Sequence, residues 1–417
     1  MSRRLFEQDR REFDQLSNQL LKGQISRRDF LKRAGMLGTA LAFSGPVSAL
    51  LAACTPSATA VPTAAAVPTA AASVENKTWP ITNLTTEQLA DVYKNILPFT
   101  DVLPLDAGPI GDKPIVLGFS QTGFNHPWRV EMIKSAQAEV ARHPNVSLVI
   151  TDGNVDIAKQ NNDVDDLLAQ NVDAVVMSPV ESAGLVPAGT KVMNANKPLV
   201  LLDRDIPSSK TLFIGQSNIT MAKAVGDVMV KKLGGKGNIL EITGLIGSSP
   251  AIDRQKGMMQ AIEGTEIKIL ATGDGEWIRE PSVTLMEDWL VAFDDINAVF
   301  THAEESSWGA QFAIARANRC GSGIMHFTHD ASNAGFQSVK DGLFQADGNY
   351  SPFIGDIGVR AALMALMGQE IPNKQKYEFE GWLYRLPDLP AVTPDNAGEW
   401  LGRGWGDFAP PEDPCKA

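Results

Sequence analysis

The sequence predicts an α/β fold made of two lobes, each built on a parallel β-sheet. From Lys113 onward, short apolar runs rich in β-branched residues alternate with helical patterns, which is typical of βαβ units. This part of the chain has about 300 residues. A single hydrophobic core usually contains fewer residues than that. We therefore expect two lobes, with any ligand bound beyond the carboxyl ends of the strands.

The predicted elements follow the chain in regular alternation. Strands are predicted for apolar runs bounded by turn-forming residues, over Pro114–Ser120, Val146–Thr151, Ala174–Ser178, Leu199–Asp203, Leu212–Ile214, Asn238–Thr243, Ile267–Ala271, Ala298–Thr301 and Gly323–Thr328. Helical patterns between them include Trp128–Arg142, Asp156–Ala169, Thr220–Leu233, Arg254–Ala261, Ser282–Phe293 and Trp308–Ala317.

The first 53 residues carry two processing signals and are set apart from the fold. Arg27 and Arg28 precede a weakly apolar run over residues 34–53, an arrangement typical of a twin-arginine export signal. The run ends in small residues before Cys54, which resembles the lipobox of bacterial lipoproteins. A cytoplasmic protein with a chance arginine pair and a buried or interfacial helix is the alternative, but one apolar helix explains neither signal. We expect export and lipidation of Cys54, which anchors the protein to the outer face of the cytoplasmic membrane or in the periplasm.

The residues after Cys54 form a predicted tether. Residues 54–75 are dominated by Ala, Thr, Pro, Ser and Val, and such a segment cannot bury a core. Residues 76–112 form an N-terminal extension with a predicted helix near Thr86–Ile96. We expect the folded body to begin at about residue 113.

Charge and cysteine content narrow the classes of function. The net charge is −12, and removal of residues 1–53 makes the chain more acidic, which disfavours nucleic acid as a partner. No second apolar stretch approaches membrane-spanning length. Beyond Cys54 the chain has Cys320 and Cys415, which could form a disulfide outside the cytoplasm or remain two separate thiols.

Aromatic, acidic and basic residues follow several predicted strands, at the edge where ligands bind. They are Asn125, His126, Trp128, Asp203, Arg204, Asp253, Arg254, Trp277, His302, Glu304, Glu305, His329, Asp330, Asn349 and Tyr350. Aromatic faces cover the C–H surface of a sugar, and planar carboxylate and guanidinium groups bond its hydroxyls. The pattern therefore favours a sugar-like ligand.

Motifs of catalysis or cofactor binding are weak in this chain. His302, His326 and His329 suggest a metal, but they lack helical i, i+4 spacing and an accompanying cysteine cluster. The Gly-rich run over residues 184–191 ends in Thr-Lys, the reverse of a phosphate loop. No Gly-x-Ser-x-Gly or His-Glu-x-x-His pattern occurs. We expect no cofactor, no metal and no enzymatic activity; an exported hydrolase or lyase is the enzyme alternative.

The order of these motifs resembles the ribose-binding-protein family, the type I periplasmic sugar-binding proteins, over about Pro114–Glu380. The segments that carry the resemblance are residues 125–128 (Asn-His-Pro-Trp), 200–204 (Val-Leu-Leu-Asp-Arg), 252–257 (Ile-Asp-Arg-Gln-Lys-Gly), 299–300 (Val-Phe) with 304–305 (Glu-Glu), 329–330 (His-Asp), 341–342 (Asp-Gly) and 350–352 (Tyr-Ser-Pro). The resemblance implies two Rossmann-like lobes with parallel sheets, joined by a three-crossing hinge near residues 215–218, 350–351 and 379. The implied lobes are 113–216 with 351–378 and 217–350 with 379–400, followed by a tail over 401–417.

The resemblance also implies the ligand-binding residues, position by position. They are Asn125, Trp128, Asp203, Arg204, Arg254, Trp277, Asp330 and Tyr350. Three positions depart from the family pattern: Arg129 replaces an aromatic, Ala303 an asparagine and Tyr350 a glutamine. Ribose is therefore disfavoured, and a hexose, a cyclitol or a less polar derivative is expected.

Several of these residues also have purely structural interpretations. Asp203 and Arg204 could be an ion pair at a strand end, and Trp128 could belong to a lobe core. Asp330 could be the N-cap of a helix through residues 335–339, a role open to Ser332 as well. Tyr350 could be only a turn residue at a crossing.

By the same resemblance, the protein is expected to be the monomeric substrate-binding protein of an ABC importer. Its partners would be a small sugar-like ligand, the permease subunits, and the membrane through the lipid on Cys54. Hinge closure around the ligand would signal occupancy. The alternatives are a sensor for a membrane receptor, or a binder of a nucleoside, an amino acid or a signalling furanose.

Overall fold

The computed structural model describes residues 102–377, 379–386 and 388–416. In chain order its strands and helices are β1 (Ile115–Gln121), α1 (Pro127–Val140), β2 (Val146–Asp152), α2 (Ile157–Ala169), β3 (Ala174–Met177), α3 (Val186–Asn194), β4 (Leu199–Leu202), β5 (Leu212–Gly215), α4 (Asn218–Leu233), β6 (Lys236–Thr243), α5 (Ser249–Ile262), β7 (Glu266–Asp274), α6 (Arg279–Ala292), β8 (Ala298–Thr301), α7 (Glu304–Arg316), β9 (Met325–His329), α8 (Asn333–Lys340), β10 (Phe344–Gly348), α9 (Gly355–Leu366), β11 (Gln375–Lys376), β12 (Trp382–Arg385) and α10 (Ala397–Trp400). The export signal, Cys54, the tether and most of the N-terminal extension lie outside the described residues.

The first lobe is built on a seven-stranded sheet with the order β11-β12-β5-β4-β3-β1-β2. Neighbouring strands are parallel except for β11 and β12. The central strands β3 and β4 are wholly apolar and buried, as expected where helices cover both faces of a parallel sheet. Helices α1 and α9 pack against one face, and α2 and α3 against the other.

The second lobe is built on a five-stranded parallel sheet with the order β10-β9-β8-β6-β7. Helices α4 and α5 form one layer with a core that includes Met258 and Phe300. Helices α6 and α7 form the other layer, around Met286 and Val299. The predicted α/β class with two sheets of mostly parallel strands is therefore confirmed.

Local sequence explains where the helices that border the cleft begin and end. Pro127 opens α1, where its missing N–H is no loss, and the His126 ring accepts a hydrogen bond from the Trp128 N–H at 3.2 Å. Ser217 caps α4 by accepting from the Thr220 N–H at 3.1 Å. The same helix ends at Gly234, whose φ of 65° is left-handed.

The edge strands differ most from prediction. Residues 379–400 are expected in the second lobe, yet β12 pairs in parallel with β5 of the first sheet. The aromatic and aliphatic residues of β12 have high strand propensity and cover an edge that β5 would otherwise expose. The chain then returns to the second lobe, where Val392 pairs with Asp347. The sequence does not predict strand β10, because the Asp and Gly of its Phe-Gln-Ala-Asp-Gly sequence are typical of a turn.

The C-terminal tail, residues 401–416 in the structure, packs against the second lobe. Cys320 and Cys415, whose pairing the sequence left open, form a disulfide with a Cα–Cα distance of 5.3 Å. Gln311 also reaches the tail, since its Nε2 donates to Asp413 Oδ1 at 2.7 Å. Among the described helices, none has the length and apolar character that crossing a membrane requires.

Candidate functional site

A cavity lies between the lobes at the carboxyl ends of the strands of both sheets. It is lined by Thr122, Asn125, His126, Trp128, Arg129, Val155, Asp203, Arg204, Leu245, Pro250, Arg254, Glu276, Trp277, Asp330 and Tyr350. Every ligand-binding residue expected from the sequence is in this set. The structure thus brings together side chains that lie as far apart in sequence as Asn125 and Tyr350.

The cavity is a narrow slot. Its volume is about 40 Å³. Direct hydrogen bonds join the lobes nearby: the Asp205 N–H donates to Ser249 Oγ at 3.0 Å, and the Ser182 N–H donates to the Gly247 carbonyl at 3.1 Å. The lobes are therefore in contact across the mouth of the slot.

One wall of the cavity is a stacked aromatic pair. The rings of Trp128 and Tyr350 lie 5.5 Å apart at an interplanar angle of 12°. Trp128 Nε1 donates to the Tyr350 carbonyl oxygen at 3.2 Å. Both side chains are buried and belong to the same apolar cluster, so Trp128 contributes to the core as well as to the cavity wall. A residue that serves only in a turn does not need to be buried, whereas Tyr350 is buried against Trp128.

Trp277 supplies the facing aromatic from the second lobe. Its backbone is left-handed, with φ 69°, and the guanidinium carbons of Arg204 and Arg254 lie 5.6 and 5.2 Å from its ring centroid. The ring packs directly over Gly244, where a Cβ would stand 2.1 Å from it. Trp277 Nε1 is buried and makes no hydrogen bond. This indole donor is therefore a buried polar group whose hydrogen bond is not made within the described residues.

Asp203 is the centre of a polar network in the first lobe. Its Oδ2 accepts from Arg129 Nη1 at 2.8 Å, and its Oδ1 accepts from the Tyr350 hydroxyl at 2.7 Å. Arg204 Nε is farther away, 3.6 Å from Oδ2. The principal partner of Asp203 is thus Arg129, a residue noted in the sequence only as a departure from the family pattern.

Arg204 is almost completely buried and only partly hydrogen-bonded. Its Nη1 donates to the Val180 carbonyl at 2.6 Å, while its Nε has no hydrogen-bond partner. Burial, followed by the nearby positive charge of Arg129, lowers the pKa of Arg204 well below its ordinary value. An additional acceptor on a ligand would stabilise this guanidinium.

Arg254 reaches into the cavity from α5 and donates three hydrogen bonds. Its Nε donates to Asn218 Oδ1 at 2.9 Å, and its Nη1 donates to Asp330 Oδ1 at 3.2 Å and to the His302 carbonyl. Its guanidinium also lies 4.9 Å from the Tyr350 ring centroid. Asn218 holds this arginine in place and was not identified in the sequence.

Asp330 is buried in an unusual backbone conformation. Its φ is 139°, and burial raises the pKa of its carboxyl to about 8, although Arg254 opposes this shift. Ser332, not Asp330, caps the following helix by accepting from the Gly335 N–H at 2.8 Å. The capping interpretation of Asp330 is therefore wrong, and its side chain is placed for another role.

Several cleft-edge candidates lie in the interior of the second lobe and do not line the cavity. His302 Nε2 lies 3.3 Å from Glu241 Oε1. Glu304 accepts hydrogen bonds from the backbone N–H and the hydroxyl of Ser332. Within the ranges that the structure covers, no group of three or more His, Cys, Asp or Glu is arranged to hold a metal ion.

Other lining residues were not among the predicted ligand set: Thr122, His126, Arg129, Val155, Leu245, Pro250 and Glu276. His126 stands out because burial, reinforced by the charge of Arg129, lowers its pKa to about 3, so its ring is neutral at pH 7. His126 and Arg129 flank Trp128 at the start of α1. His126 was already among the residues expected at the cleft edge, and the same position after the first strand was the signal that could have identified Arg129.

Comparisons with known proteins identify the family of this chain. Residues 117–370 match the family described as periplasmic binding protein domain. The galactofuranose-binding protein of Escherichia coli is 32% identical over 301 residues, which cover 69% of this chain and 91% of that protein.

Two solved structures share the fold. The binding protein of an arabinose ABC transporter from Shewanella, solved with arabinofuranose, has a TM-score of 0.62 and 27% identity, covering 69% of this chain and 95% of that chain. The fructose-binding periplasmic domain of a hybrid two-component system has a TM-score of 0.63 and 29% identity, covering 69% and 93%. Together with the matched residues 117–370, these similarities establish that the chain belongs to the periplasmic binding protein family.

Proposed function

We propose that this protein is the extracytoplasmic substrate-binding protein of an ABC importer and that it binds a monosaccharide or a related polyol between its lobes. The observation that carries the proposal is the composition of the interlobe cavity. Two acidic side chains, Asp203 and Asp330, and two arginines, Arg204 and Arg254, lie among aromatic rings in one slot.

This set of groups matches the chemistry of a sugar. Carboxylate oxygens accept from hydroxyls, and guanidinium groups donate to ring and hydroxyl oxygens. The indole and phenol rings cover the C–H faces that remain. Arg204 Nε and Trp277 Nε1 are buried donors without hydrogen-bond partners, and acceptors on a polyhydroxylated ligand could bond them.

A furanose is the first form of sugar to test. The relatives compared above include a galactofuranose-binding protein and a binding protein solved with arabinofuranose. The narrow slot favours a small ring. Its polar groups come from both lobes, with Asp203 and Arg204 in the first and Arg254 and Asp330 in the second, so ligand contacts would favour the closed form.

Hinge closure would act as the signal to the permease. The interlobe hydrogen bonds from Asp205 to Ser249 and from Ser182 to Gly247 involve loop residues and the first residue of α5, outside the strands of either sheet. They can break without disturbing either core. We infer that ligand binding stabilises the contacts between the lobes and that the protein acts as a monomer without chemical turnover.

The location of the protein is part of the same proposal. Paired arginines and the residues before Cys54 support export by the twin-arginine route and lipid anchoring. The disulfide between Cys320 and Cys415 also supports an oxidising compartment, where such bonds persist. Mass spectrometry of the mature protein tests this directly, since the N-terminal residue should be an acylated Cys54.

A second candidate function is sensing. The fructose-binding domain compared above belongs to a hybrid two-component system, so this fold also serves receptors. A sensor and a transport protein would bind the same ligand and differ in their membrane partner. Cross-linking in cells separates them, because the partner recovered would be either a permease or a receptor.

Ligand titration tests the proposed function. The chain from Glu75, which follows the predicted tether, would be titrated with L-arabinose, D-galactose, D-fructose, D-ribose, xylitol and myo-inositol. Calorimetry and tryptophan fluorescence would be followed together, since Trp128 and Trp277 line the cavity. We expect one-to-one binding with a Kd of about 1 μM or tighter and no conversion of the sugar. Absence of binding across this panel would reject the sugar assignment.

A further inference from the structure

We propose that Trp405 of the C-terminal tail is a positioning residue for the ligand site. It holds the loop of residues 330–333, hereafter the Asp330 loop, in the conformation that places the Asp330 carboxylate in the cavity. The inference rests on the proposed function of that cavity. It concerns a tail that lies beyond residues 117–370, the part matched to the family.

The Asp330 loop adopts a conformation that its own sequence does not favour. Asp330 has a φ of 139° and Ala331 a φ of 65°, and neither residue is glycine. Side chains with a Cβ rarely occupy these regions, because the Cβ crowds the backbone. Two such residues in succession persist only where neighbouring contacts hold them. The Asp330 N–H supplies one contact, to the Gly348 carbonyl at 3.0 Å.

The tail supplies three further contacts to the loop backbone, in addition to the hydrogen bond that the Ser332 N–H donates to Glu304. Trp405 Nε1 donates to the Asp330 carbonyl oxygen at 2.6 Å, and the Trp405 N–H donates to the Ala331 carbonyl at 3.3 Å. In return, the Asn333 N–H donates to the Trp405 carbonyl at 2.9 Å. Trp405 therefore bonds both residues with positive φ, and it pairs with the loop like a short parallel strand.

The register of this pairing is set on both sides of Trp405. The Gly404 N–H donates to Asn333 Oδ1 at 2.9 Å, and Asn333 Nδ2 donates to the Gly406 carbonyl at 3.1 Å. At Gly404 a Cβ would lie 2.6 Å from the Asn333 nitrogen and 2.7 Å from the Ala331 carbonyl oxygen. Any larger residue would push the tail away from the loop.

Trp405 is almost fully buried, with 1% of its surface exposed, and it belongs to the apolar cluster that contains Trp128 and Tyr350. The consequence for the ligand passes through Asp330, whose Oδ1 accepts from Arg254 at 3.2 Å.

The end of the tail is fastened to the same lobe as the loop. Cys415 is bonded to Cys320, and Lys416 Nζ donates to the Asp341 carbonyl at 2.9 Å. Asp413 Oδ1 accepts from Gln311 at 2.7 Å. These contacts hold the end of the tail on the lobe that carries the Asp330 loop.

The test compares two substitutions in the full chain with matched controls. Trp405→Phe keeps an aromatic ring and removes the donor to the Asp330 carbonyl, and Gly404→Ala displaces the tail. Trp400→Phe is the control for the first, because it makes the same substitution at a nearby tryptophan whose ring contacts Phe336 of α8 at a centroid distance of 6.1 Å. Gly398→Ala is the control for the second, since a Cβ there has no neighbour within 4 Å.

Two readouts are needed. The first is the Kd for the tightest-binding sugar of the panel, which should rise about tenfold in Trp405→Phe and Gly404→Ala and stay within twofold in the controls. In an Asp330→Ala background the further loss from Trp405→Phe should disappear, because the side chain that it positions is absent. The second is amide hydrogen exchange of residues 330–333 without ligand, which should become faster in the two test variants only.

The outcomes separate this inference from the function on which it rests. Unchanged Kd in both test variants, with normal binding by the unmodified protein, would overturn the positioning role. An equal loss from Trp405→Phe with and without Asp330 would overturn it as well, since it would indicate a general structural effect. Failure of the unmodified protein to bind any sugar would reject the proposed function, and the exchange measurement would still decide whether Trp405 holds the loop.

Discussion

Removal of the Asp203 charge should destabilise the protein far more than removal of an exposed carboxylate. Asp203 pairs with Arg129 at 2.8 Å, and the two side chains are only 3% and 9% exposed. The substitution Asp203→Asn keeps the shape of the side chain and leaves the buried guanidinium of Arg129 without its counter-charge. Breaking a buried pair from one side costs about 3–5 kcal/mol, because the remaining charge stays desolvated.

The expected value lies at the low end of that range. The amide oxygen of asparagine can still accept one hydrogen bond, from either Arg129 or the Tyr350 hydroxyl. We expect the free energy of unfolding to fall by about 3 kcal/mol. Urea denaturation followed by circular dichroism measures this loss, with the midpoint and the slope reported separately.

A matched control is available on the surface of the same lobe. Asp165 pairs with Lys191 at 2.7 Å, but both side chains are nearly half exposed, so Asp165→Asn should change the free energy of unfolding by less than about 1 kcal/mol. The double variant Arg129→Met, Asp203→Asn should recover part of the loss, since no buried charge is left unpaired. Equal effects of Asp203→Asn and Asp165→Asn would refute the reasoning.

Two further predictions concern stability. Replacing Cys320 and Cys415 with serine should lower the free energy of unfolding by about 2–4 kcal/mol, and dithiothreitol should then have no further effect on the melting temperature of that variant. The second concerns pH: burial raises the pKa of Asp347 from 3.8 to about 7 and also raises the pKa of its neighbour Glu304. The folded state thus binds more protons than the unfolded state between pH 3.8 and about 7, so the contribution of this pair to stability falls as pH rises through that window. Melting temperatures measured from pH 4 to 8 should decline less for Asp347→Asn than for the unmodified protein; identical pH profiles would contradict this assignment.

Much of the fold could be predicted because its signals are local. The apolar runs of β3 and β4 are recognisable in any window that contains them, and each predicted strand overlaps an observed one. The carboxyl ends of parallel strands share one edge of a sheet, so residues that follow them, such as Asp203 and Asp330, could be expected at one cavity. Their roles in ligand binding remain predictions for the titration to test.

The partners of these residues could not be predicted from local patterns. Arg129 lies 74 residues from Asp203 and Trp405 lies 75 residues from Asp330, and nothing in either neighbourhood indicates the contact. The placement of β12 beside β5 depends on which sheet edge is left unpaired after the lobes have formed. A short aromatic run has the same propensity at either edge, so its sequence does not choose between them.

The sequence alone therefore determined the α/β class, the positions of most strands along the chain, and which polar and aromatic side chains lie at the cleft. These follow from periodicity and from positions relative to strand ends, which are properties of short segments. The tertiary structure alone decided that Arg129 neutralises Asp203, that Cys415 reaches Cys320, and that the tail supports the Asp330 loop. Such contacts depend on the packing of segments distant in the chain, because burial and charge pairing are settled only when those segments meet.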